Sequence, residues 1–277
     1  MKNIRRSIAI FLVLTLILSM GITAFAELID TRTHWASKEI GYFVGKGILN
    51  GYLDGTFKPE NNITKAEIYK IINNVMGYIE TAEINFLDVK ESDWFYNDVA
   101  KGVKAGYITE KSGGNLLPNT LATREEVAQI IGLAFGLSKD ESKSANYFLD
   151  GNDISDQAKG YIGILKDKGY ISGYPDGTFR PKGQITRAEV VKMINNITGE
   201  IVDTAGTVTK NIEGNLLVNT ADVILKDMVI KGDLYLTEGI GNGDVTLDNV
   251  VVKGETFIRG GGENSIKIKD SSLGKIT

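Results

Sequence analysis

Apolar residues recur at helical spacing in three separate stretches of the chain. Each stretch places them at positions i, i+3, i+4 and i+7, the pattern of an amphipathic helix with one buried face. Each is preceded by another helical pattern that ends at a glycine stop. The amphipathic stretches are Ile68 to Val75, Val127 to Ala134 and Val190 to Ile197, and the preceding ones are 35–46, 94–104 and 158–168, ending at Gly47, Gly106 and Gly169. The pattern predicts three helix-turn-helix pairs packed into one mainly α domain.

After Gly199 the spacing of apolar residues changes to a period of two. The run from Leu225 to Gly232 recurs 22 residues later as Leu247 to Gly254, and loosely again at Ile268. Short strands at this spacing are typical of a coil in which each rung stacks on the rung before it. We therefore predict that residues 201–277 form a small right-handed parallel β-helix-like, all-β segment of about three rungs.

A nine-residue motif marks the turn inside the helical pairs. Residues 51–59 read Gly-Tyr-Leu-Asp-Gly-Thr-Phe-Lys-Pro, and residues 173–181 read Gly-Tyr-Pro-Asp-Gly-Thr-Phe-Arg-Pro. A weaker copy lies between them, with Gly114, Leu116 and Pro118 at the matching places. At a constant distance after the motif, a Thr-x-x-Glu element opens each amphipathic helix. We predict three repeats, at residues 27–80, 81–140 and 141–200.

The Thr-x-x-Glu elements have a structural explanation. Threonine at the N-cap and glutamate at N3 form a capping box, in which each side chain bonds the backbone amide of the other residue. The pairs are Thr64 with Glu67, Thr123 with Glu126, and Thr186 with Glu189. The capping box accounts for these six residues without any ligand.

A cation follows each capping threonine, at Lys65, Arg124 and Arg187. A helix N-terminus disfavours positive charge, because the macrodipole is positive there. One explanation is a solvated side chain or a surface ion pair worth under ~1 kcal/mol. The other is function, because a cation beside free amide groups at a helix N-terminus is suited to hold a carboxylate or phosphate. Three aligned instances favour the functional explanation.

Other polar and aromatic positions are less decisive. Asp54 and Asp176, each followed by glycine, suggest a calcium loop, but the spaced acids and terminal glutamate are missing, so a turn is the better prediction. Trp35 and Trp94 occupy matching places at helix starts, where an aromatic side chain either joins the core or presents a face to a sugar. His34 lacks a ligand partner at metal spacing and is predicted to lie at the surface. We expect no metal site and no cofactor.

Through Gly-Tyr-x-Asp-Gly-Thr-Phe-x-Pro and Thr-Arg-Ala-Glu, residues 28 to 200 resemble three S-layer homology domains. The resemblance implies a pseudo-threefold helical spindle whose inter-repeat grooves bind a secondary cell-wall polysaccharide, often carrying a pyruvate ketal. Carried over by position, the three cations would hold the ketal carboxylate, and the three stop glycines would let sugar approach the backbone. The candidate glycan-binding residues are Arg187, Arg124, Lys65, Trp35, Trp94, Gly47, Gly106, Gly169, Asp54 and Asp176.

The three copies depart from the family pattern in different ways. Copy one has Lys65 where arginine is usual, which loses the bidentate fork. Copy two lacks the Asp-Gly-Thr-Phe turn and has Glu125 beside Arg124, an arrangement expected to neutralise the arginine. Copy three has Arg187 but carries Gln157 where the tryptophans stand. We predict that the two arginines contribute more than Lys65.

Composition narrows the function classes and the location. The 277 residues contain no cysteine, which excludes disulfides, thiol nucleophiles and thiolate metal sites. A basic start, an apolar run and a small-x-small site ending at Ala26 predict that residues 1–26 are a cleaved signal peptide. Cleavage would remove three positive charges from a chain of formal charge −4, and such a surface repels nucleic acid and anionic lipid. We expect an exported protein at the cell wall, without a membrane span after cleavage.

The main prediction is a non-catalytic protein that anchors itself to an anionic wall polysaccharide. One alternative is a lattice or assembly subunit whose β-rich segment stacks on copies of itself. Another is a polysaccharide-active enzyme, since β-helices also carry lyases and hydrolases with acidic pairs. The acidic candidates for such an enzyme fall near rung ends, where turns favour aspartate anyway. They are Asp227, Asp233, Asp244 and Asp248.

Overall fold

The computed structural model describes residues 28–109, 114–140 and 147–277. The predicted signal peptide lies outside the described residues. Within them, six α-helices are followed by eight β-strands, so the predicted change from a helical to a β-rich segment is confirmed. No helix in the described ranges is long and apolar enough to cross a membrane.

Each repeat contributes a first helix and a second, capped helix. The first helices begin near the predicted positions, but Trp35 and Trp94 precede their helices by two residues, and the third begins two residues before Ala158. In chain order the helices are α1 Ser37–Gly45, α2 Lys65–Met76, α3 Tyr96–Lys104, α4 Arg124–Ala134, α5 Asp156–Asp167 and α6 Arg187–Thr198.

The repeats close into a ring. The capped helix α2 packs against α3 of the second repeat, α4 packs against α5 of the third, and α6 packs back against α1 of the first. Each helical pair therefore buries its apolar face against the next pair, as the amphipathic pattern requires. The predicted pseudo-threefold spindle is confirmed.

Three extended segments meet at the centre of this ring, one before each capped helix. The Ile63 amide donates to the Ile185 carbonyl at 3.1 Å, the Ile185 amide to the Ala122 carbonyl at 3.1 Å, and the Ala122 amide to the Ile63 carbonyl at 2.9 Å. All three residues are fully buried. The cycle satisfies backbone groups that would otherwise be buried without partners.

An aspartate in each repeat clamps the loop that leads to this centre. Asp30, Asp88 and Asp150 each accept two consecutive backbone amides at 2.7 or 2.8 Å. The second amide of each pair belongs to a residue with a left-handed backbone, which the clamp holds against its intrinsic preference. These residues are Lys58, Leu117 and Arg180, with φ of 56°, 57° and 58°. An aspartate after two apolar residues recurs in the three repeats, and this is the sequence signal that predicts the clamp.

The β-rich segment is a parallel β-solenoid of about three turns. Two four-stranded sheets have the orders β1-β3-β5-β7 and β2-β4-β6-β8, and the paired strands run parallel. Leu225 pairs with Leu247, so the 22-residue recurrence is the spacing of these two rungs, and the next step, from Leu247 to Ile268, is 21 residues. The strands are β1 Glu200–Val202, β2 Gly206–Val208, β3 Leu216–Val218, β4 Val223–Ile230, β5 Leu234–Leu236, β6 Val245–Val252, β7 Thr256–Ile258 and β8 Ile266–Lys269.

A left-handed residue interrupts the alternation in successive rungs. Asp227, Asn249 and Asp270 have φ of 50°, 55° and 48°. Two consecutive exposed residues at this point in β4 separate Leu225 from Met228, yet both of these face the solenoid core. Asn249 donates to the Asp227 carboxylate of the rung before at 2.8 Å. Asp227 is therefore part of the fold of this strand rather than of an acidic cluster.

One sheet of the solenoid is buried on both sides. In β3, β5 and β7 the middle residues Leu217, Tyr235 and Phe257 join the core of the helical repeats, whereas their neighbours fill the solenoid core. The Tyr235 ring stacks on Phe257 with centroids 4.8 Å apart and meets Phe135 of the second repeat edge-on at 5.3 Å. The solenoid is thus packed against the helical spindle over an apolar interface.

Solenoid side chains also cap the C-terminal ends of the three central helices. The Thr237 hydroxyl donates to the Met76 carbonyl at 2.8 Å, Arg259 donates to the Ala134 carbonyl at 3.1 Å, and the Asn215 amide donates to the Ile197 carbonyl at 2.8 Å. The last carbonyls of a helix lack intrahelical partners, and a cation is favoured at that end. The solenoid therefore completes all three helices at one end of the spindle.

We predict that Tyr235→Ala destabilises the helical repeats as well as the solenoid. Truncating a buried aromatic side chain to alanine costs about 3–5 kcal/mol of unfolding free energy. Both tryptophans of the chain, Trp35 and Trp94, lie in the helical part. Denaturant unfolding followed by tryptophan fluorescence should therefore show a lower midpoint for this variant. The control is Ile224→Ala, whose side chain is 40% exposed on the outside of the solenoid and should change little. An unchanged fluorescence midpoint in Tyr235→Ala would show that the two parts unfold independently.

Candidate functional site

The three cations after the capping threonines lie between repeats. Lys65 Nζ is 2.7 Å from Glu126 of the second repeat, Arg124 Nη1 is 3.0 Å from Glu189 of the third, and Arg187 Nη1 is 3.2 Å from Glu67 of the first. Each repeat therefore gives a cation to the next repeat and takes one from the previous repeat. The ion pairs form a second cycle, opposite in direction to the central one, in which the backbone amide of each repeat donates to the previous repeat.

The capping glutamates use one oxygen for each task. In all three capped helices the threonine accepts from the N3 amide, and the glutamate Oε2 accepts from the threonine amide. The other oxygen, Oε1, holds the cation of the preceding repeat. Our sequence reasoning separated structural glutamates from functional cations, and the structure joins them in one network.

The helix N-termini do not offer free amides beside these cations, and that part of the sequence interpretation is wrong. The first two amides of each capped helix donate to loop carbonyls of the next repeat. Arg187, for example, donates from its amide to the Asn61 carbonyl at 2.9 Å, and Ala188 donates to the Pro59 carbonyl at 3.0 Å. An anion held here must therefore bind to side chains rather than to the helix N-terminus.

The two arginines are held more firmly than the lysine. Arg124 Nε donates to the Phe179 carbonyl at 2.9 Å, and Arg187 Nε donates to the Phe57 carbonyl at 3.0 Å. The guanidinium side chains are only 7% and 8% exposed, against 17% for Lys65. Because a buried pair that loses one partner leaves an uncompensated charge, each arginine stabilises the fold as well as lining a groove.

Glu125 does not neutralise Arg124, contrary to the sequence prediction. Its carboxylate instead pairs with Lys182 and accepts the Ser155 amide at 3.0 Å. Arg124 has its ion-pair partner in the third repeat. The two neighbouring residues point to different partners because the first turn of α4 lies against loops of the third repeat.

One groove combines residues from all three repeats. A cavity of about 210 Å³ is lined by Arg187 of the third repeat, by Tyr52 and Lys70 of the first, and by Trp94 of the second. Lys70 Nζ lies 5.6 Å from the Trp94 ring centroid, and the Arg187 guanidinium lies 5.1 Å from the Tyr52 ring centroid. Trp94 is 56% exposed, so its ring is available to a ligand rather than part of the core.

The pseudo-threefold order relates a second groove to this one. Arg124 lies 4.7 Å from the ring centroid of Tyr174, whose hydroxyl donates to Glu189 at 2.6 Å. Lys192 of α6 occupies the place of Lys70 and pairs at 2.7 Å with Glu39 of α1, the helix that Trp35 precedes. Trp35 is 59% exposed.

The third groove has a weaker set of side chains. Its cation is Lys65, and the helix that packs there is α5, which has the exposed Gln157 near its start. The two departures from the family pattern come from different repeats in the sequence. The pseudo-threefold order of the spindle assigns them to the same groove, because each groove takes its cation and its aromatic from different repeats.

The other predicted site residues have local structural roles. Asp54 and Asp176 accept the amides of Thr56 and Thr178, at 3.1 and 3.0 Å, within the predicted turns. The three stop glycines have positive φ, and a Cβ at any of them would meet no atom within 4 Å. Open space therefore lies above Gly47, Gly106 and Gly169, as a close approach of sugar would require.

His34 and Asp233 lie in other surroundings than the sequence suggested. The His34 side chain is only 10% exposed and bonds Glu60 at 2.6 Å, so the prediction of a plain surface residue is wrong. Asp233 accepts from Tyr170 and pairs with Lys168 of the helical part at 2.8 Å. Across the described ranges, no group of three or more histidine, aspartate and glutamate side chains is arranged to hold a metal ion.

Comparison with known families gives three matches along the helical part. The profile of the S-layer homology domain matches residues 30–68, 85–128 and 147–191, one range within each predicted repeat. The chain contains three S-layer homology domains. The ring of ion pairs and the grooves described above are therefore features of an S-layer homology spindle.

Several curated proteins are similar over part of the chain. The exoglucanase XynX and the cellulosome-anchoring protein of Acetivibrio thermocellus are 35% and 38% identical over 169 and 167 residues. The surface-layer 125 kDa protein of Lysinibacillus sphaericus is 30% identical over 179 residues. These alignments cover 60%, 53% and 64% of this chain but only 16%, 34% and 15% of the relatives.

We predict that the Lys65–Glu126 pair makes stability sensitive to acid. Burial raises the pKa of Glu126, but hydrogen bonds from Lys65 and the Thr123 amide outweigh it, so the pKa lies below its ordinary value of 4.5. A carboxylate whose pKa is lower in the folded than in the unfolded protein contributes its full stabilisation of the fold above pH 4.5. This stabilisation is lost as the pH falls through the pKa of the folded state.

Thermal unfolding of the wild type and of Glu126→Gln should test this. The wild type should be more stable at neutral pH, and the difference between the two proteins should shrink below pH 4.5. A difference that does not change with pH would mean that Glu126 acts only through its uncharged capping geometry.

Proposed function

We propose that this protein anchors itself non-covalently to the cell wall by binding an anionic secondary cell-wall polysaccharide in the grooves between its repeats. S-layer homology domains are cell-wall anchoring modules, and a cellulosome-anchoring protein and a surface-layer protein are among the relatives. The proposal places the protein outside the cell, at the wall or surface layer. A ketal-linked pyruvate on the glycan would supply the carboxylate that the groove cations favour.

The observation that carries the proposal is the composition of the Arg187 groove. It combines a guanidinium, a second cation at Lys70 and an exposed tryptophan ring in one cavity. Aromatic faces suit the apolar side of a sugar ring, and cations suit a carboxylate. An acidic, sugar-containing polymer offers both groups to one groove.

We propose that two of the three grooves bind strongly. The grooves with Arg187 and Arg124 each have an arginine and an exposed tryptophan, whereas the third has Lys65 and Gln157. A lysine cannot make the bidentate contact of a guanidinium with a carboxylate. Two engaged grooves on a repeating polymer raise the overall affinity above that of either groove alone.

We propose that the described part of the chain has a binding role rather than a catalytic one. Of the four aspartates considered for catalysis, Asp233 pairs with Lys168, Asp244 with Lys267 and Asp248 with Lys226. Asp227 accepts from Asn249 at a bend of the solenoid. Some relatives are enzymes by name, but the aligned segments cover a small part of them. Self-association through the solenoid remains a prediction.

We predict that Trp94→Ala and Trp35→Ala each weaken binding to purified wall sacculi by about tenfold, which corresponds to ~1.4 kcal/mol. Both side chains are more than half exposed, so truncation should leave the fold intact. Binding would be measured by co-sedimentation, with thermal unfolding as the check of folding. The double variant should lose nearly all binding.

Gln157→Ala is the matched control, because it occupies the corresponding place in the third groove. It should bind as the wild type does. Sacculi stripped of their polysaccharide should retain neither the wild type nor the control. Equal binding to stripped and intact sacculi, or wild-type binding by the tryptophan double variant, would contradict the proposal.

A further inference from the structure

The Arg187 groove opens into a longer trough that reaches the solenoid. The groove cavity shares Ile48 and Asn74 with a second cavity of about 270 Å³, and that cavity shares Tyr78 and Ile79 with a third of about 360 Å³. The shared lining residues place the three cavities next to one another, and we call this row of cavities the trough. The first lies within the helical repeats, and the other two include solenoid residues in their walls.

The trough follows α2 from near its start to beyond its end. Glu67 lines the first cavity and Tyr78 lines the third. At 1.5 Å of rise per residue this separation is about 16 Å. The trough is therefore longer than one sugar residue and has the dimensions of a site for a segment of polymer.

In the middle of the trough, the space above Gly47 is open. Gly47 lines the second cavity, and a Cβ at this position would meet no atom within 4 Å. Asn74 and Asn219 stand on the helical and the solenoid side of the same cavity. Amide groups both donate and accept hydrogen bonds, as the hydroxyls of a sugar do. Gly47 lines the second cavity and not the one that contains Arg187, so it would contact a glycan that extends beyond the Arg187 groove.

The far end of the trough contains a carboxylate oxygen without a partner. Glu238 Oε1 lies 3.0 Å from Arg259 Nε, but Oε2 is buried and has no hydrogen-bond partner. It is the only buried side-chain nitrogen or oxygen of the described residues in this state. Burial raises the pKa of Glu238 even though Arg259 lowers it. Because Oε2 is buried, a ligand in the open cavity does not reach it, so the accessible polar groups at the far end are Lys101, Lys104 and Asn242.

The trough is also more positive than the protein as a whole. Its three cavities are lined by six lysine and arginine residues but by four aspartate and glutamate residues. The whole chain has a formal charge of −4. At the far end Lys104 pairs with Glu80 at 3.3 Å and Arg259 with Glu238 at 3.0 Å, so the excess of positive charge there comes from Lys101. An acidic polymer is the class of ligand that this distribution favours.

We propose that a polysaccharide chain seated in the Arg187 groove continues along this trough, and that α3 and the solenoid bind its next sugar units through Lys101, Lys104 and Asn242. This inference rests on the proposed function and extends it, because it makes the solenoid part of the glycan site. Asn242 of the solenoid is exposed at the third cavity and exchanges hydrogen bonds with a sugar hydroxyl, and the two lysines hold acidic or hydroxyl groups at the mouth of this cavity.

The test uses the intact protein and wall polysaccharide released from sacculi and separated by size. The variants are Asn242→Ala and the double variant Lys101→Met with Lys104→Met, and affinity is measured by calorimetry. Both should bind long fragments about fivefold more weakly than the wild type, because hydrogen bonds to the sugar units beyond the Arg187 groove are lost. Their affinity for fragments of one repeating unit should stay unchanged, since such fragments occupy only the Arg187 groove.

Lys231→Met is the matched control, because Lys231 is 59% exposed, pairs with Glu213 and lines none of the three cavities. It should bind every fragment as the wild type does. Wild-type affinity of both trough variants for long fragments would overturn the trough while leaving the grooves intact. Loss of affinity for short and long fragments alike would also overturn it. A wild type that binds no fragment would instead contradict the proposed function.

Discussion

Three backbone hydrogen bonds at the centre of the spindle determine the arrangement of everything around them. They join Ile63, Ala122 and Ile185 in a cycle in which each repeat donates to one neighbour and accepts from the other. A cycle of this kind can close only when three similar segments approach a common axis. Once it is closed, the first turn of each capped helix lies against the loop of the next repeat, and its first amides find partners there.

The close approach of the repeats gives Lys65, Arg124 and Arg187 their ion-pair partners. A positive residue at the start of a helix is unfavourable when the helix is considered alone. In the ring, the capping glutamate of the next repeat lies within 2.7 to 3.2 Å of each cation and compensates for it. The same ring brings an aromatic from one repeat beside a cation from another. Each groove therefore draws its residues from several repeats. Lys65 and Gln157, which come from different repeats, weaken one groove and leave the other two intact.

The solenoid is attached by the same physical requirement of satisfying helix ends. Its side chains donate hydrogen bonds to carbonyls at the C-terminal ends of α2, α4 and α6. Tyr235 and Phe257 cover the apolar base of the spindle. The cost of exposing those carbonyls and rings explains why one sheet is apolar on both sides. The attachment also brings solenoid residues to the wall of a trough that begins between the repeats.

The sequence by itself determined the three repeats, the capping boxes, the turn motifs and the change to stacked strands, because these depend on residues close together in the chain. The 22-residue recurrence even determined the register of Leu225 with Leu247. Only the tertiary structure decided which glutamate meets which cation, which tryptophan meets which arginine, and that Glu125 turns away from Arg124. Those contacts join residues of different repeats, up to 120 positions apart in the case of Arg187 and Glu67, and local spacing carries no information about them. The packing of Tyr235 against the helical repeats could not be predicted for the same reason. A strand buried on one side and a strand buried on both sides differ in what packs against them, and the packing partners of Tyr235 are distant in the sequence.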